Sequence, residues 1–319
     1  MRLILVPRGF GLWPRLALGV TIIFAVLFGV FALASLVAVQ DSTTRILEER
    51  QVLTEMAARE VELLVEQAFH ELEKATSFAP FDPQNPNLSE EAHLLAHTYG
   101  RVGTMSLGVY FLDRRGRVVL AEPPDPSLLG FDLSLLAPFK EAIISAERRV
   151  SDPFQDLRMG KPAVAITVPV RNKEGELVAF LSGLIDMTDP RVVQPLAQAK
   201  RLGRTGHAEI VDGNGSVVAS TDEGHFMMPG EHLEFYLRML RQGRNGVETT
   251  PYERGYGQNS GYGSKQYQGV SHVMAFAFLP GANWGVALGG TEEETFAPVR
   301  DLQRRLVLLG SFSLAVLLV

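Results

Sequence analysis

A histidine pair is the first feature of this sequence that could bind a ligand. His93 and His97 lie four residues apart, so both imidazoles would project from one face of a helix, a spacing that suits a metal ion. No third ligand is evident beside them, and no glutamate lies between them as in a zinc-protease helix. We interpret them as surface histidines and predict no metal site.

A polar loop is the second such feature. Asp152 to Arg158 brings together carboxylates, an amide and a guanidinium in one short run. Such groups can bind a polar small molecule through charge-assisted hydrogen bonds. A solvated turn is the alternative interpretation of the same loop.

Several kinds of chemistry are excluded by the composition. The chain has no cysteine, which rules out thiolate metal sites, disulfides and cysteine nucleophiles. It has neither a Gly-x-Ser-x-Gly nucleophile elbow nor a phosphate-binding G-x-x-x-x-G-K-[ST] loop. The net charge is −6, and the 30 lysines and arginines form no long basic run. We therefore predict no catalytic residue, no cofactor and no nucleic-acid partner for the chain as given.

A doubled hairpin pattern positions the polar loop. An apolar run, Asp113-x-x-Gly116 and a second apolar run form one copy, and the same order returns around Asp212 and Gly215. Asp caps such a turn through its side chain, while Gly supplies the positive φ. Two hairpins of one design predict two related domains in tandem.

The first membrane segment is predicted near the N-terminus. Leu16 to Gln40 has no charged residue and exceeds the roughly 20 residues that cross a bilayer. Arg2, Arg8 and Arg15 precede it, which predicts a cytoplasmic N-terminus and an extracytoplasmic region after Asp41. A cleaved signal peptide is the alternative, although this run is longer than a typical signal core.

A second membrane segment is predicted at the other end. Leu306 to Val319 is apolar or small and uncharged, but too short to span a bilayer. We therefore predict a second transmembrane helix that is cut off, so that the chain is a fragment. Arg304 and Arg305 before it oppose the predicted orientation, which the N-terminal arginines outweigh.

A long helix is predicted between Asp41 and Phe78, a segment without proline or glycine. Apolar residues recur on one face of it at Leu53, Ala57, Val61, Leu64, Ala68 and Leu72. This stripe fits packing against the helix's own domain, and it also fits the seam of a parallel homodimer. Both interpretations stay open.

The remaining pattern is that of an α+β protein: two tandem antiparallel sheets on a long N-terminal helix, flanked by transmembrane helices. Trp284 is predicted to be a core aromatic of the second sheet. We divide the chain into a cytoplasmic N-terminus at 1–15, a transmembrane helix at 16–40, a stalk helix at 41–80, a membrane-distal module at 81–190, a membrane-proximal module at 191–300 and the start of the second transmembrane helix at 301–319.

This order of elements resembles the double Cache, or dCache, sensor regions of bacterial transmembrane receptors, and the resemblance implies that the two tandem sheets are PAS-like. The segments that carry the resemblance are Gly108–Gly116, Val150–Phe154, Gly160–Val170, Leu202–Asp212 and Leu279–Val286. The resemblance implies an extracytoplasmic sensor in the bacterial inner membrane that binds a small molecule in the distal module. It also implies a helix shift that reaches a cytoplasmic output missing here: a histidine kinase of a two-component system, or otherwise a chemotaxis receptor or diguanylate cyclase.

The resemblance also directs the choice of site residues. The family's amino-acid signature, Arg-x-Trp-Tyr, would fall on Leu136-Ala137-Pro138-Phe139, so the carboxylate-binding arginine is absent and an amino-acid ligand is disfavoured. A small organic acid could instead bind through Arg158 or Lys161. The candidate ligand-binding residues are Tyr110, Phe139, Asp152, Phe154, Gln155, Arg158, Thr167 and Asp186.

Two rival functions use no small molecule. The Gly- and Tyr-rich segment Tyr252 to Gly269 could recognise an envelope protein or polymer, in which case side chains would fill the distal cavity. The chain could also be a membrane-anchored structural protein.

Overall fold

We analysed a computed structural model, which describes residues 12–78, 87–101, 103–156, 158–222, 225–252 and 270–318. The chain divides into two compact units. One unit consists of the chain up to Leu47 together with the chain from Phe296 onward, and the other is Glu48–Thr295. Both sheets lie in the second unit.

Helix α1 runs without interruption over Leu12–Phe78. The predicted membrane helix and the predicted stalk helix are therefore one helix, which ends where proline and asparagine begin to recur in the sequence. In the part of the chain that the structure describes, α1 is the one helix long and apolar enough to cross a membrane. Its side chains from Leu18 to Val37 are largely exposed, as a membrane-facing surface would be in a protein without lipid.

The first sheet is antiparallel, with the strand order β2-β1-β6-β5-β3, and β4 pairs with β5. Its strands are β1 Gly108–Asp113, β2 Val118–Glu122, β3 Arg149–Val150, β4 Phe154–Gln155, β5 Pro162–Arg171 and β6 Leu177–Asp186. Helices α2 (Ser89–Arg101) and α3 (Ala137–Ser145) belong to the same module. We call α2, α3 and β1 to β6 the first module.

The second sheet repeats this arrangement, with the order β8-β7-β11-β10-β9. Its strands are β7 His207–Val211, β8 Val217–Ser220, β9 Gly246–Pro251, β10 Ser271–Leu279 and β11 Trp284–Thr291. Helices α4 (Pro190–Val193) and α5 (Leu233–Gln242) accompany it, and α6 (Glu292–Thr295) and α7 (Ala297–Leu318) follow. We call β7 to β11 with α5 the second module. The predicted α+β fold of two antiparallel sheets on a long helix is confirmed.

Each sheet buries one face against α1. Ala57, Val61, Ala68 and Leu72 of the predicted stripe are buried in one core cluster with residues from both sheets. The stripe therefore packs against the helix's own domain, and Trp284 is in the same core, 2% exposed. The dimer seam stays a prediction.

The opposite face of each sheet is covered by that module's own helix. Side chains alternate along a strand, so Tyr110 and Leu112 of β1 face α3 while Val109 and Phe111 face α1. In the second module, the face that includes Val211 packs against α5. This second face of each sheet holds the polar side chains discussed below.

The two hairpins close through the same aspartate contacts. Asp113 Oδ1 accepts the backbone N–H groups of Arg115 and Arg117, at 2.8 and 2.9 Å. Asp212 Oδ1 accepts those of Asn214 and Ser216, also at 2.8 and 2.9 Å. The glycine that ends each turn has positive φ, as the Asp-x-x-Gly pattern predicts.

Asp212→Ala is expected to lower the free energy of unfolding by about 1.5–3 kcal/mol. Asp212 is buried, and the change leaves two backbone N–H groups without their acceptor. Asp212→Asn keeps an acceptor oxygen and should retain most of the stability. Urea unfolding of the full chain in mild detergent measures the difference, and equal losses for both variants would contradict this role of the carboxylate.

Candidate functional site

A small cavity lies between the first sheet and the segment around α3. Its volume is about 20 Å³, enough for about one water molecule. Most of its lining is apolar, with one guanidinium, one carboxylate and one phenol among the side chains. The lining residues are Tyr110, Val118, Leu128, Leu133, Leu136, Phe139, Phe154, Asp156, Arg158 and Leu184.

Arg158 is the cation at this cavity. Its guanidinium carbon lies 5.4 Å from the centre of the Tyr110 ring, within cation–π range. Nη2 donates to the backbone oxygen of Leu107, whereas Nε is buried without a hydrogen-bond partner. Within the described ranges, no carboxylate oxygen lies within 4.0 Å of this guanidinium. Arg158 thus keeps donor capacity for an anionic group.

The cavity's other polar groups fix the position of Arg158. Asp156 is buried, and its Oδ2 accepts the backbone N–H groups of Arg158 and Met159 at 3.2 and 2.8 Å. Burial raises the pKa of Tyr110, although the neighbouring Arg158 opposes the rise, so the phenol is neutral at pH 7. Gly108 has a φ of 133°, and a Cβ there would approach Arg158 Nη2 to 2.7 Å. Only glycine leaves this space for the guanidinium.

The predicted site residues separate into two groups. Tyr110, Phe139, Phe154 and Arg158 line the cavity. The Phe139 and Phe154 ring centres are 5.8 Å apart, so these two rings close one wall.

The other four predicted residues do not line it and have contacts of their own. Thr167 Oγ1 and Ser182 Oγ lie 2.9 Å apart across β5 and β6. Exposed Gln155 donates to Gly160 O at 3.0 Å, and exposed Asp152 accepts from Asn214 Nδ2 at 3.4 Å. Asp186 accepts from Lys161 Nζ at 2.6 Å.

The Asp186–Lys161 pair is expected to make stability depend on pH. Burial raises the pKa of Asp186, but hydrogen bonds from Lys161 and Thr188 outweigh it, so the net pKa is lowered. A depressed carboxyl pKa stabilises the folded state above the unfolded pKa, about 3.9, and this contribution disappears as pH falls through the folded value. The stability difference between wild type and Asp186→Asn should therefore shrink below about pH 4. Urea unfolding between pH 7 and pH 2.5 measures it, and a difference that does not vary with pH would contradict the pair's role.

A second polar cluster occupies the corresponding face of the second module. Glu209 is the hairpin counterpart of Tyr110, and His207 is the counterpart of Gly108. His207 and Glu209 of β7 meet His272 of β10 and the pair Glu231 and His232 before α5. All five side chains are buried.

The imidazoles of His207, His232 and His272 form one group. The ring centre of His272 is 5.1 Å from each of the other two, and those two are 5.9 Å apart. Burial, then the neighbouring imidazoles, lower the pKa of His232 to about 3. Burial and His207 lower the pKa of His272 to about 4. Both rings are therefore neutral at pH 7.

Two carboxylates lie beside these rings. Glu209 Oε2 accepts from Tyr236 Oη at 3.0 Å, and Glu231 Oε1 accepts from Tyr252 Oη at 2.9 Å. Burial, followed by the charge of Glu209, raises the pKa of Glu231. The half-buried His225 has Nδ1 at 3.3 Å from Glu231 Oε1, and the carboxylate of Glu209, whose Oε1 lies 3.8 Å from the same nitrogen, raises the pKa of His225.

Sequence reasoning did not find this cluster, although β7 contained one signal. His207 and Glu209 alternate with Ala208 and Ile210, which places two polar side chains on one face of a strand predicted to be buried. His93 and His97, in contrast, are exposed on α2 and belong to no group of three metal-binding side chains within the described residues. Of the predicted Tyr252 to Gly269 loop, only Tyr252 is among the described residues.

Comparisons with known proteins are consistent with this architecture. The family model dCache_1, described as a Cache domain, matches residues 38–299. The periplasmic sensory domain of the Campylobacter jejuni chemoreceptor Tlp1 superposes with a TM-score of 0.61 at 11% identity, covering 81% of this chain and 99% of that one. The ligand binding domain of the Pseudomonas aeruginosa amino acid chemoreceptor PctB, in complex with L-Arg, gives 0.59 at 15% identity, covering 84% and 98%.

An extracellular ligand binding receptor from Desulfohalobium retbaense gives a TM-score of 0.57 at 13% identity over 76% of this chain. The match spans 40% of that receptor's length. A comparison with curated protein sequences finds no match. At these identities the solved structures share the fold.

Proposed function

Because the chain belongs to the dCache_1 family of Cache domains, which are extracytoplasmic ligand sensors, we propose that its first module binds a small carboxylate beside Arg158. The observation that carries the proposal is the guanidinium itself. It borders an apolar cavity, has no carboxylate partner among the described residues and retains a buried, unpartnered Nε. A ligand carboxylate would supply the missing acceptor and the missing charge.

Binding requires the cavity to open. About 20 Å³ holds no ligand larger than water, whereas small-molecule sites typically enclose about 300 Å³ or more. The side chains of Leu136, Phe139 and Phe154 have to move aside to make room for a ligand. A ligand that binds only the open form shifts the balance between the two forms by its differential affinity. This requirement makes the site a switch as well as a binding pocket.

The carboxylate hypothesis differs from amino-acid recognition in the arginine that it uses. PctB was solved with an amino acid, and amino acids also carry a carboxylate. In this chain, Leu136 replaces the arginine of the amino-acid signature, and Arg158 comes from the segment between β4 and β5. Asp156 is the carboxylate in the cavity lining, and one of its two oxygens, Oδ2, already accepts two backbone N–H groups. These features favour an organic acid without an amino group.

The membrane anchor fits this function. The sensor region lies outside the cytoplasm, and the apolar part of α1 fits a membrane anchor. The Cache region itself is a sensor module and carries no catalysis. We propose that residues 81–190 form the membrane-distal module and residues 191–300 the membrane-proximal one, with a homodimer as the working unit. A histidine kinase output stays our first prediction and a chemotaxis output the second, since several of the solved relatives are chemoreceptors.

A thermal-shift screen tests the proposal. The full chain in mild detergent is heated with a panel of small carboxylic acids, with the corresponding primary amides as neutral controls. A ligand at 100 times its Kd should stabilise the protein by about 2.7 kcal/mol, a shift of several degrees. We expect at least one acid to stabilise the protein and its amide to have no effect. Stabilisation by no acid, or by acid and amide alike, would contradict the proposal.

A further inference from the structure

We propose that the second module binds a late first-row divalent metal ion, such as Zn²⁺, through His207, His232 and His272. This site is separate from the carboxylate cavity and does not depend on the proposed function. The orientation of the rings, the spacing of their nitrogens and the surrounding carboxylates support it.

Backbone carbonyls orient two of the three rings. His207 Nδ1 lies 3.1 Å from Thr205 O, and His232 Nδ1 lies 3.0 Å from Pro251 O. A carbonyl can only accept, so each Nδ1 carries a proton, and in the neutral form of each ring the lone pair of Nε2 points to the cluster. Metal-binding histidines are held in this way, with the other ring N–H donated to a carbonyl or carboxylate.

The ring nitrogens converge. His232 Nε2 accepts a hydrogen bond of 3.1 Å from His272 Nδ1, which a bound metal ion would replace, and the ligand atoms of the three histidines all lie within 4.8 Å of one another. Four-coordinate zinc with Zn–N bonds of about 2.0–2.1 Å places its ligand nitrogens about 3.4 Å apart. Side-chain shifts on the order of 1 Å would therefore close the three rings around one ion.

His207 is the strongest single indication. Its Nε2 is buried without a hydrogen bond, and the nearest carboxylate oxygen, Glu231 Oε2, is 3.6 Å away. When the only ring proton is on Nδ1, His207 Nε2 is a hydrogen-bond acceptor that faces a second acceptor, Glu231 Oε2, in the protein interior. Glu209 Oε1 is likewise buried without a hydrogen bond. A buried pair of facing acceptors is costly unless a cation or a proton lies between them.

The charge of the cluster also favours a dication. Glu209 and Glu231 are buried together, and in the part of the chain that the structure describes no lysine or arginine nitrogen lies within 4.0 Å of either. A divalent ion bound by the histidines would supply positive charge beside these two buried carboxyl groups.

The donor set selects the class of metal. Neutral imidazole nitrogens suit Zn²⁺, Cu²⁺ and Ni²⁺, whereas Mg²⁺ and Ca²⁺ prefer oxygen ligands. Three histidines leave a fourth position toward Glu231, which could ligate the ion directly or through water.

A metal ion bound by these histidines would lie at the end of the second sheet. His272 pairs in register with Thr291, the last residue of β11. Thr291 Oγ1 lies 3.1 Å from Thr205 Oγ1, next to the carbonyl that orients His207. Thr295 at the end of α6 accepts from Arg50 of α1 at 2.7 Å. An ion would therefore join β7, β10 and the residue before α5 close to α6.

Metal analysis of the full chain tests the proposal. The protein is purified in detergent through a tag without histidine, stripped with a chelator, incubated with Zn²⁺ and passed through a desalting column. Elemental analysis of wild type should give one zinc per chain, and competition with a chromogenic chelator gives the affinity. We expect His272→Gln and His232→Gln each to weaken zinc binding by more than about tenfold.

The control variant removes the same type of side chain elsewhere. His93→Ala/His97→Ala deletes the exposed pair on α2 and should keep the bound zinc. Circular dichroism shows whether each variant is folded; if the glutamine variants do not fold, Co²⁺ added to stripped wild type gives a second reading, because ligand-field bands of a tetrahedral ion report nitrogen coordination. Wild type that retains no zinc and gives no cobalt bands, or zinc that is lost from the His93→Ala/His97→Ala variant, would overturn the proposal.

Discussion

Leu72→Ala is expected to lower the free energy of unfolding by about 2–5 kcal/mol. Leu72 is 0% exposed and lies where α1 packs against the sheets, in the core cluster that both modules share. Alanine would leave a cavity in that core without weakening the helix, because alanine has the higher helix propensity. The loss can be measured by urea unfolding of the full chain, followed by the fluorescence of buried Trp284.

Leu63→Ala is the matched control on the same helix. Leu63 is 61% exposed, so its truncation should change stability by no more than about 0.5 kcal/mol. If both variants lost the same stability, α1 would not pack on the sheets by the stripe described here. If Leu63→Ala alone impaired assembly into dimers, the dimer seam would lie on the exposed face of α1 instead.

Arg158→Gln is expected to weaken binding of the carboxylate ligand roughly 10- to 150-fold. This range corresponds to about 1.5–3 kcal/mol for a hydrogen bond to a charged group. Glutamine keeps a polar side chain but cannot present the paired N–H groups and the charge of a guanidinium. Isothermal titration of the acid identified by the thermal-shift screen measures the change.

Two further variants separate the local effect from a general effect of charge. Arg114→Gln removes the same charge from an exposed hairpin position in the same module and should leave the affinity unchanged. Arg158→Lys keeps the charge without the planar fork and should fall between wild type and Arg158→Gln. Equal affinity of wild type and Arg158→Gln would remove Arg158 from the site.

The parts of the fold that depend on local chemistry could be predicted from the sequence. The Asp-x-x-Gly turns specify their hairpins through contacts between residues that are neighbours in the chain, and the structure has both hairpins. Strand β6 begins and ends where its apolar run does. The short strands β3, β4 and β9 were missed, because they are defined by pairing with β5 and β10 rather than by a pattern of their own.

The candidate site could be predicted only in part, because strand register decides which side chains meet. Tyr110 and Arg158 were both candidates, but sequence could not show that Arg158 turns over the Tyr110 ring. Thr167 faces the same side of the sheet as Tyr110, yet it bonds Ser182 instead of lining the cavity. The size of the cavity follows from tertiary packing, which no local pattern encodes.

The histidine cluster was even harder to predict from the sequence than the cavity. His207, His232 and His272 are far apart in the sequence, and they meet because β11 brings β7 and β10 into one sheet and the chain before α5 crosses its face. The hairpin repeat predicts two related modules, and the family resemblance implies that the first of them binds the ligand. The second copy has Glu209 where the first has Tyr110, so the polar groups at this position differ in kind between the two modules.

The central claim is that a small carboxylate opens the first-module cavity by pairing with Arg158. A crystal structure of the full chain with the acid from the screen tests it most directly. We predict ligand density between the first sheet and the wall formed by Leu136, Phe139 and Phe154, with the carboxylate oxygens within hydrogen-bonding distance of the Arg158 guanidinium. Ligand density elsewhere, with Arg158 still donating to Leu107 and the cavity still closed, would contradict the claim.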